Sequence, residues 1–130
     1  MRQASFIVRF FTVLSLSFFS SINAFASSLI IEVPDDPEPT KETVTYQCDM
    51  KTGKEHVEAT YYNAGYIALV DLKWKEKRII ASNVIAASGA RYVGGPYIWH
   101  TKGSKAVFSD RINDQKDRNL IECVEKQRTK

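Results

Sequence analysis

"YIALVDLKWKEKRIIASNVI", residues Tyr66 to Ile85, decides between helix and strand for this chain. Val70, Leu72 and Trp74 alternate with Asp71 and Lys73, a period of two that sends successive side chains to opposite faces of a strand. The preceding "YIAL" is apolar on both faces, as expected for a more buried central strand. "KEK" (Lys75 to Lys77) supplies a charged turn, and "KRIIASNVI" runs back as the second arm of a hairpin.

The same pattern extends in both directions. "TVTYQCD" sets Val44, Tyr46 and Cys48 against Thr43, Thr45 and Gln47, and "EHVEATYY" sets Val57, Ala59 and Tyr61 against His56, Glu58 and Thr60. "PYIWHT", "KAVFS" and "NLIECV" complete the series. Turn signals separate these runs: "KTGK" (Lys51 to Lys54), "NAG" (Asn63 to Gly65), "SGA" (Ser88 to Ala90), "VGGP" (Val93 to Pro96), "KGS" (Lys102 to Ser104) and "NDQKD" (Asn113 to Asp117). Short strands at this spacing, with no amphipathic helix, predict an all-β sandwich or barrel. An antiparallel barrel is preferred, because closure removes exposed strand edges.

The chain begins with Arg2 and Arg9 around a mixed segment, then "FFTVLSLSFF" (Phe10 to Phe19), then small residues at Ala24 and Ala26. This is the pattern of a secretory signal peptide. The apolar run falls short of the roughly 20 residues that a spanning helix needs, so membrane insertion is not expected. Cleavage after Ala26 would expose Ser27, not a cysteine that a lipid could acylate. The expectation is a free protein in a bacterial periplasm or outside the cell. Export to an oxidising compartment makes a Cys48–Cys123 disulfide the default for the two cysteines present. Closing so long a loop stabilises by about 4 kcal/mol in the chain-entropy model, against a total of about 5–15 kcal/mol for a small domain.

The formal charge of +3 shrinks to +1 once Arg2 and Arg9 leave with the signal peptide, since 16 basic residues then face 15 acidic ones. Such a balance gives no general attraction for nucleic acid. "KWKEKR" (Lys73 to Arg78) is the one candidate patch for single strands. Glu76 interrupts it, and it reads better as a hairpin tip kept soluble by charge. "IIEVPDDPEPTKE" (Ile30 to Glu42) holds five acidic residues, one lysine and three prolines, and reads as an extended, solvated arm.

Catalytic signatures are missing. His56 and His100 are the only histidines, and there is no HExxH, CxxC or zinc-spaced ligand cluster. No GxSxG elbow occurs, and the glycines of "GARYVGG" do not sit between a strand and a helix. No enzyme activity, cofactor or metal is expected, and His56 receives no role. Glycines and large aromatics concentrate in "AASGARYVGGPYIWHTKG" (Ala86 to Gly103). Ser88-Gly89 and Gly94-Gly95-Pro96 provide turns, and Tyr97 and Trp99 share one strand face opposite Ile98, His100 and Lys102.

"SGARYV" followed by "WHTKG", with the opening "VTYQC" and closing "LIEC" strands, resembles the family of bacterial inhibitors of c-type lysozyme, the MliC/PliC group, over roughly Val44 to Cys123. The export signal without a lipidation cysteine looks like the periplasmic branch. The resemblance implies an eight-stranded antiparallel β-barrel with one disulfide that inserts a loop into the lysozyme cleft. Ser88 and Lys102 match the family serine and lysine that contact the catalytic carboxylates, and Gly89, Arg91, Tyr92 and Gly103 match the surrounding motifs. The chain departs from the pattern at His100, where a second aromatic often follows the tryptophan. The implied partner is a host or animal c-type lysozyme, and a monomer or a homodimer is left open.

The division expected is a signal peptide at 1–26, an acidic arm at 27–42, the barrel at 43–126 and a tail at 127–130. The competing reading is a periplasmic small-ligand-binding barrel, its interior or mouth lined by Tyr61, Tyr97 and Trp99. An interior filled by side chains would count against that reading.

Overall fold

The computed structural model describes residues 27–32 and 37–126; the expected signal peptide and tail lie outside this range. Eight strands follow one another along the chain: β1 Thr40–Met50, β2 Gly53–Ala64, β3 Ile67–Trp74, β4 Lys77–Val84, β5 Ala90–Gly94, β6 Tyr97–Lys102, β7 Lys105–Asp110 and β8 Ile121–Glu125. Each pairs antiparallel with the next, and β1 pairs with β8, so the sheet closes into an up-and-down barrel. No helix occurs among the described residues.

Alternation along the strands builds the core. Val57 and Ala59, Val70 and Leu72, Ile79 and Ala81, and Ala106 and Phe108 point inward and are buried, while the residues between them face outward or lie at the wall. Alanines beside large rings let an eight-stranded barrel fill its narrow interior with side chains. Trp99, 1% exposed, meets Tyr46 edge-on at 5.1 Å between ring centres. Its indole N–H donates to the Tyr61 hydroxyl at 3.0 Å, and the Tyr46 and Tyr61 hydroxyls bond at 2.9 Å. Burial pushes the pKa values of Tyr46, Tyr61 and Tyr92 upward, which keeps these phenols neutral inside the barrel. Tyr61 and Trp99 are therefore bound to one another in a filled interior, where the small-ligand reading needed a cavity.

The seam is closed covalently. Cys48 and Cys123 are directly opposed in the β1–β8 ladder, with Cα atoms 4.0 Å apart, and form the expected disulfide. Lys126 N–H donates to the Thr45 carbonyl at 2.8 Å just beyond the last strand residue.

Two boundaries around β1 and β2 differ from the sequence reading. β1 begins at Thr40, so Thr40, Lys41 and Glu42 belong to the barrel and pair with Asn63, Tyr62 and Tyr61. The run of prolines ends at Pro39, after which every residue of β1 has an N–H for the ladder, and the Lys41 ammonium lies 5.8 Å from the Tyr62 ring centre. The turn expected at Asn63 to Gly65 falls instead at Gly65–Tyr66, because Asn63 and Ala64 still pair with Ala68 and Ile67.

An up-and-down barrel sorts its connections into two ends. One end carries the turns at 51–52, 75–76 and 95–96 and the long 111–120 connection. The other carries the 65–66 turn, the 85–89 loop and the 103–104 turn, which brings both halves of "SGARY…TKG" to the same end.

Candidate functional site

The 85–89 loop connects β4 to β5, and the 103–104 turn connects β6 to β7. Ladder register places them side by side, since Ala90 pairs with Thr101. Ser88 lies two residues before that pair, in the loop leading into β5, and Lys102 lies one residue after it at the end of β6. Both are exposed. The loop lies directly on β6: a Cβ at Gly89 would sit 2.1 Å from the Thr101 carbonyl oxygen and 3.3 Å from His100 Nε2. With φ at +66°, Gly89 is required twice, by its backbone conformation and by this contact. The glycine is thus explained within the chain.

Arg91 and His100 are directly opposed on β5 and β6, as are Lys102 and Lys105 on β6 and β7. Opposed residues share a face, so Arg91 stands with His100 on the barrel exterior, where Arg91 is exposed. Neither Arg91, Lys102 nor Lys105 takes part in any of the ion pairs among the described residues, which are Lys75–Glu55, Arg78–Asp71 and Arg111–Asp117. This end therefore offers cationic groups to an outside acid. Asn83 Nδ2 donates to the Arg91 carbonyl at 3.3 Å and ties β4 to the start of β5.

Tyr92, the neighbour of Arg91 in the motif, lies on the opposite face of β5. It is 6% exposed, faces the barrel interior and packs against Tyr61 at 5.8 Å between ring centres. Alternation forces this: Arg91 faces out, so its neighbour faces in. Tyr92 supports β5 from beneath. Gly103 forms the β6–β7 turn with φ at +59° and open space around it, leaving Lys102 unobstructed.

Two features escaped the sequence. His100 was placed beside Lys102 without an assigned role, yet its Nε2 lies 2.8 Å from the Ser88 carbonyl oxygen. Only the register that sets β6 against the loop reveals this. Ile85, read as the end of a strand, lies beyond β4 and is 99% exposed on the loop itself. An exposed apolar residue on the same loop as Ser88 is a surface that a partner could cover.

Two depressions among the described residues, of about 470 and 520 Å³, lie at the opposite end. The first, lined partly by Trp74, Tyr97 and Phe108, has its Glu55 carboxylate already accepting from Trp74 Nε1 at 2.6 Å and paired with Lys75. Those bonds hold the Glu55 pKa below the usual carboxylate range. No group of three metal-ligating side chains occurs among the described residues. What the Ser88–Lys102 end provides is a hydroxyl and an ammonium, both suited to donating to a carboxylate.

Comparison with known proteins points the same way. The family described as membrane-bound lysozyme-inhibitor of c-type lysozyme matches residues 46–117. A protein of Cupriavidus necator is 35% identical over 72 residues, covering 55% of each chain, and one of Pseudomonas aeruginosa is 30% identical over 97 residues, covering 74% of each. Both are named membrane-bound lysozyme inhibitor of C-type lysozyme. The match thus spans about half the length of the first relative and nearly three quarters of the second. The crystal structure of Pseudomonas aeruginosa MliC in complex with hen egg white lysozyme superposes with a TM-score of 0.63 at 29% identity, over 78% of this chain and 98% of that one.

Proposed function

The chain belongs to the family of membrane-bound lysozyme inhibitors of c-type lysozyme, and on that premise we propose that it inhibits a c-type lysozyme by placing the Ser88 loop and Lys102 in the enzyme's active-site cleft. The observation that carries the reading is the docking of the 85–89 loop onto β6, which brings an exposed hydroxyl and an exposed ammonium to neighbouring strand ends.

Lysozyme needs one carboxyl group protonated as general acid and a second one ionised. An ammonium brought beside them favours the ionised form and lowers the pKa of the acid. The catalytic proton is then lost. The Ser88 hydroxyl donates to a carboxylate, a charge-assisted bond stronger than a neutral one. Occupation of the cleft also excludes the polysaccharide. Arg91 and Gly103 flank the contact, and the rigid barrel lowers the ordering cost of binding. The inhibitor itself performs no chemistry. Its benefit to the cell is protection of peptidoglycan from host lysozyme.

The relatives' names place them at a membrane, which supports an exported protein acting at the cell envelope. A freely diffusing form rests on Ser27 alone, and the names lend it no support.

The test is turnover of hen egg white lysozyme on peptidoglycan with the purified protein titrated in. Stoichiometric loss of turnover is expected. Ser88→Ala and Lys102→Ala should each weaken inhibition roughly tenfold to a hundredfold, the worth of a hydrogen bond to a charged group, without lowering the melting temperature. If the double variant inhibits as well as the parent, the site assignment is wrong.

A further inference from the structure

We propose that His100 is the positioning residue of the inhibitory loop: its imidazole Nε2–H donates to the Ser88 carbonyl and fixes the Ser88–Gly89 peptide in the one orientation that presents the Ser88 hydroxyl beside Lys102. This rests on the inhibitory reading of Ser88. The geometry rests on one hydrogen bond and one crowded position. Nε2 lies 2.8 Å from the Ser88 oxygen, and a Cβ built at Gly89 would meet both the Thr101 carbonyl oxygen and the same Nε2, at 2.1 and 3.3 Å.

A clamp is needed because of what glycine permits. Gly89 reaches positive and negative φ about equally well, so the peptide before it is free to rotate unless something holds it. The Thr101 carbonyl restrains Gly89 by contact alone, which does not choose the direction of the Ser88 carbonyl. The hydrogen bond does. The loop itself, from Ile85 to Gly89, is outside the strand ladders, so no ladder bond does the same work there. A donor is required at Nε2, which both the Nε2–H tautomer and the imidazolium supply. A phenylalanine would keep the planar ring and lose the clamp.

The role predicts a specific pattern across variants. His100→Phe should weaken inhibition by about threefold to tenfold, the worth of a single hydrogen bond acting through the fraction of loops in the competent state. His100→Gln, whose side-chain amide keeps a donor at similar reach, should recover most of the loss. In a Ser88→Ala background His100→Phe should cost nothing further, because the group it positions is gone. A role confined to stability would make the His100→Phe effect independent of Ser88.

The clamp is read separately in the free protein. Imidazole nitrogen chemical shifts should place a proton on Nε2, and backbone relaxation should show Ser88 and Gly89 amides losing order in His100→Phe while the strands do not. Unchanged loop order in that variant, or parental inhibition by it, overturns the proposal. If the parent protein fails to inhibit lysozyme, the inhibitory reading falls, and the relaxation data alone still decide whether His100 holds the loop.

Discussion

Replacing Gly89 by alanine tests the site where its geometry is tightest. At φ +66° an L side chain costs about 1–2 kcal/mol relative to glycine. For a domain of this size that corresponds to a fall in melting temperature of about 4–16 °C, which leaves the barrel folded. The second effect is local. The new Cβ would lie 2.1 Å from the Thr101 carbonyl oxygen, where 3.0 Å is the practical floor. Loop and strand must therefore part by nearly an ångström, and a displacement of that size between interacting groups costs on the order of a hundredfold. The separation falls between Ser88 and Lys102, the two groups that have to reach one pair of carboxylates together. Thermal melting and lysozyme titration on the same preparation measure both effects, with Ser88→Ala as a comparator that removes a contact without strain. Parental inhibition by Gly89→Ala would refute the claim that docking of the loop on β6 sets its activity. A parental melting temperature would refute the strain.

Removing the disulfide with Cys48→Ser and Cys123→Ser should lower the unfolding free energy in urea by about 4 kcal/mol, the loop-closure entropy of a 75-residue separation; an unchanged urea midpoint would contradict it. Tyr61→Phe leaves the Trp99 N–H and the Tyr46 hydroxyl without their shared partner, and should cost about 1–3 kcal/mol in the same assay. The Asp114 carboxylate accepts from the Asn119 and Arg118 amides, which holds its pKa below the ordinary 3.8, as the Asn113 side chain does for Asp110. Their contribution is present above pH 3.8 and is lost as pH falls through the lower folded values, so Asp114→Asn should flatten the acid limb of the stability profile. A limb as steep as the parent's would remove Asp114 from the explanation. Intact mass of the exported protein should correspond to a chain starting at Ser27 with its cysteines oxidised; a heavier, lipid-bearing species would overturn the free form.

The sequence by itself determined the strand pattern, most of the turns, the disulfide and the likeness to lysozyme inhibitors. Each is written locally: a period of two at Val70, Leu72 and Trp74, turn residues between such runs, and a cysteine in the first strand and another in the last. Alternation also separates Trp99 from His100 and Lys102 without any knowledge of the fold. The tertiary structure alone decided which positions meet. The motif marked Tyr92 without saying where its ring goes, and closure of the barrel turned that ring inward onto Tyr61. β1 gained Thr40 to Glu42 because β2 continues far enough to pair with them. Gly89 against Thr101, and His100 on the Ser88 carbonyl, join residues 12 apart in the chain. Local pattern tells a side chain which face it occupies, whereas ladder register and closure choose its neighbour across that face.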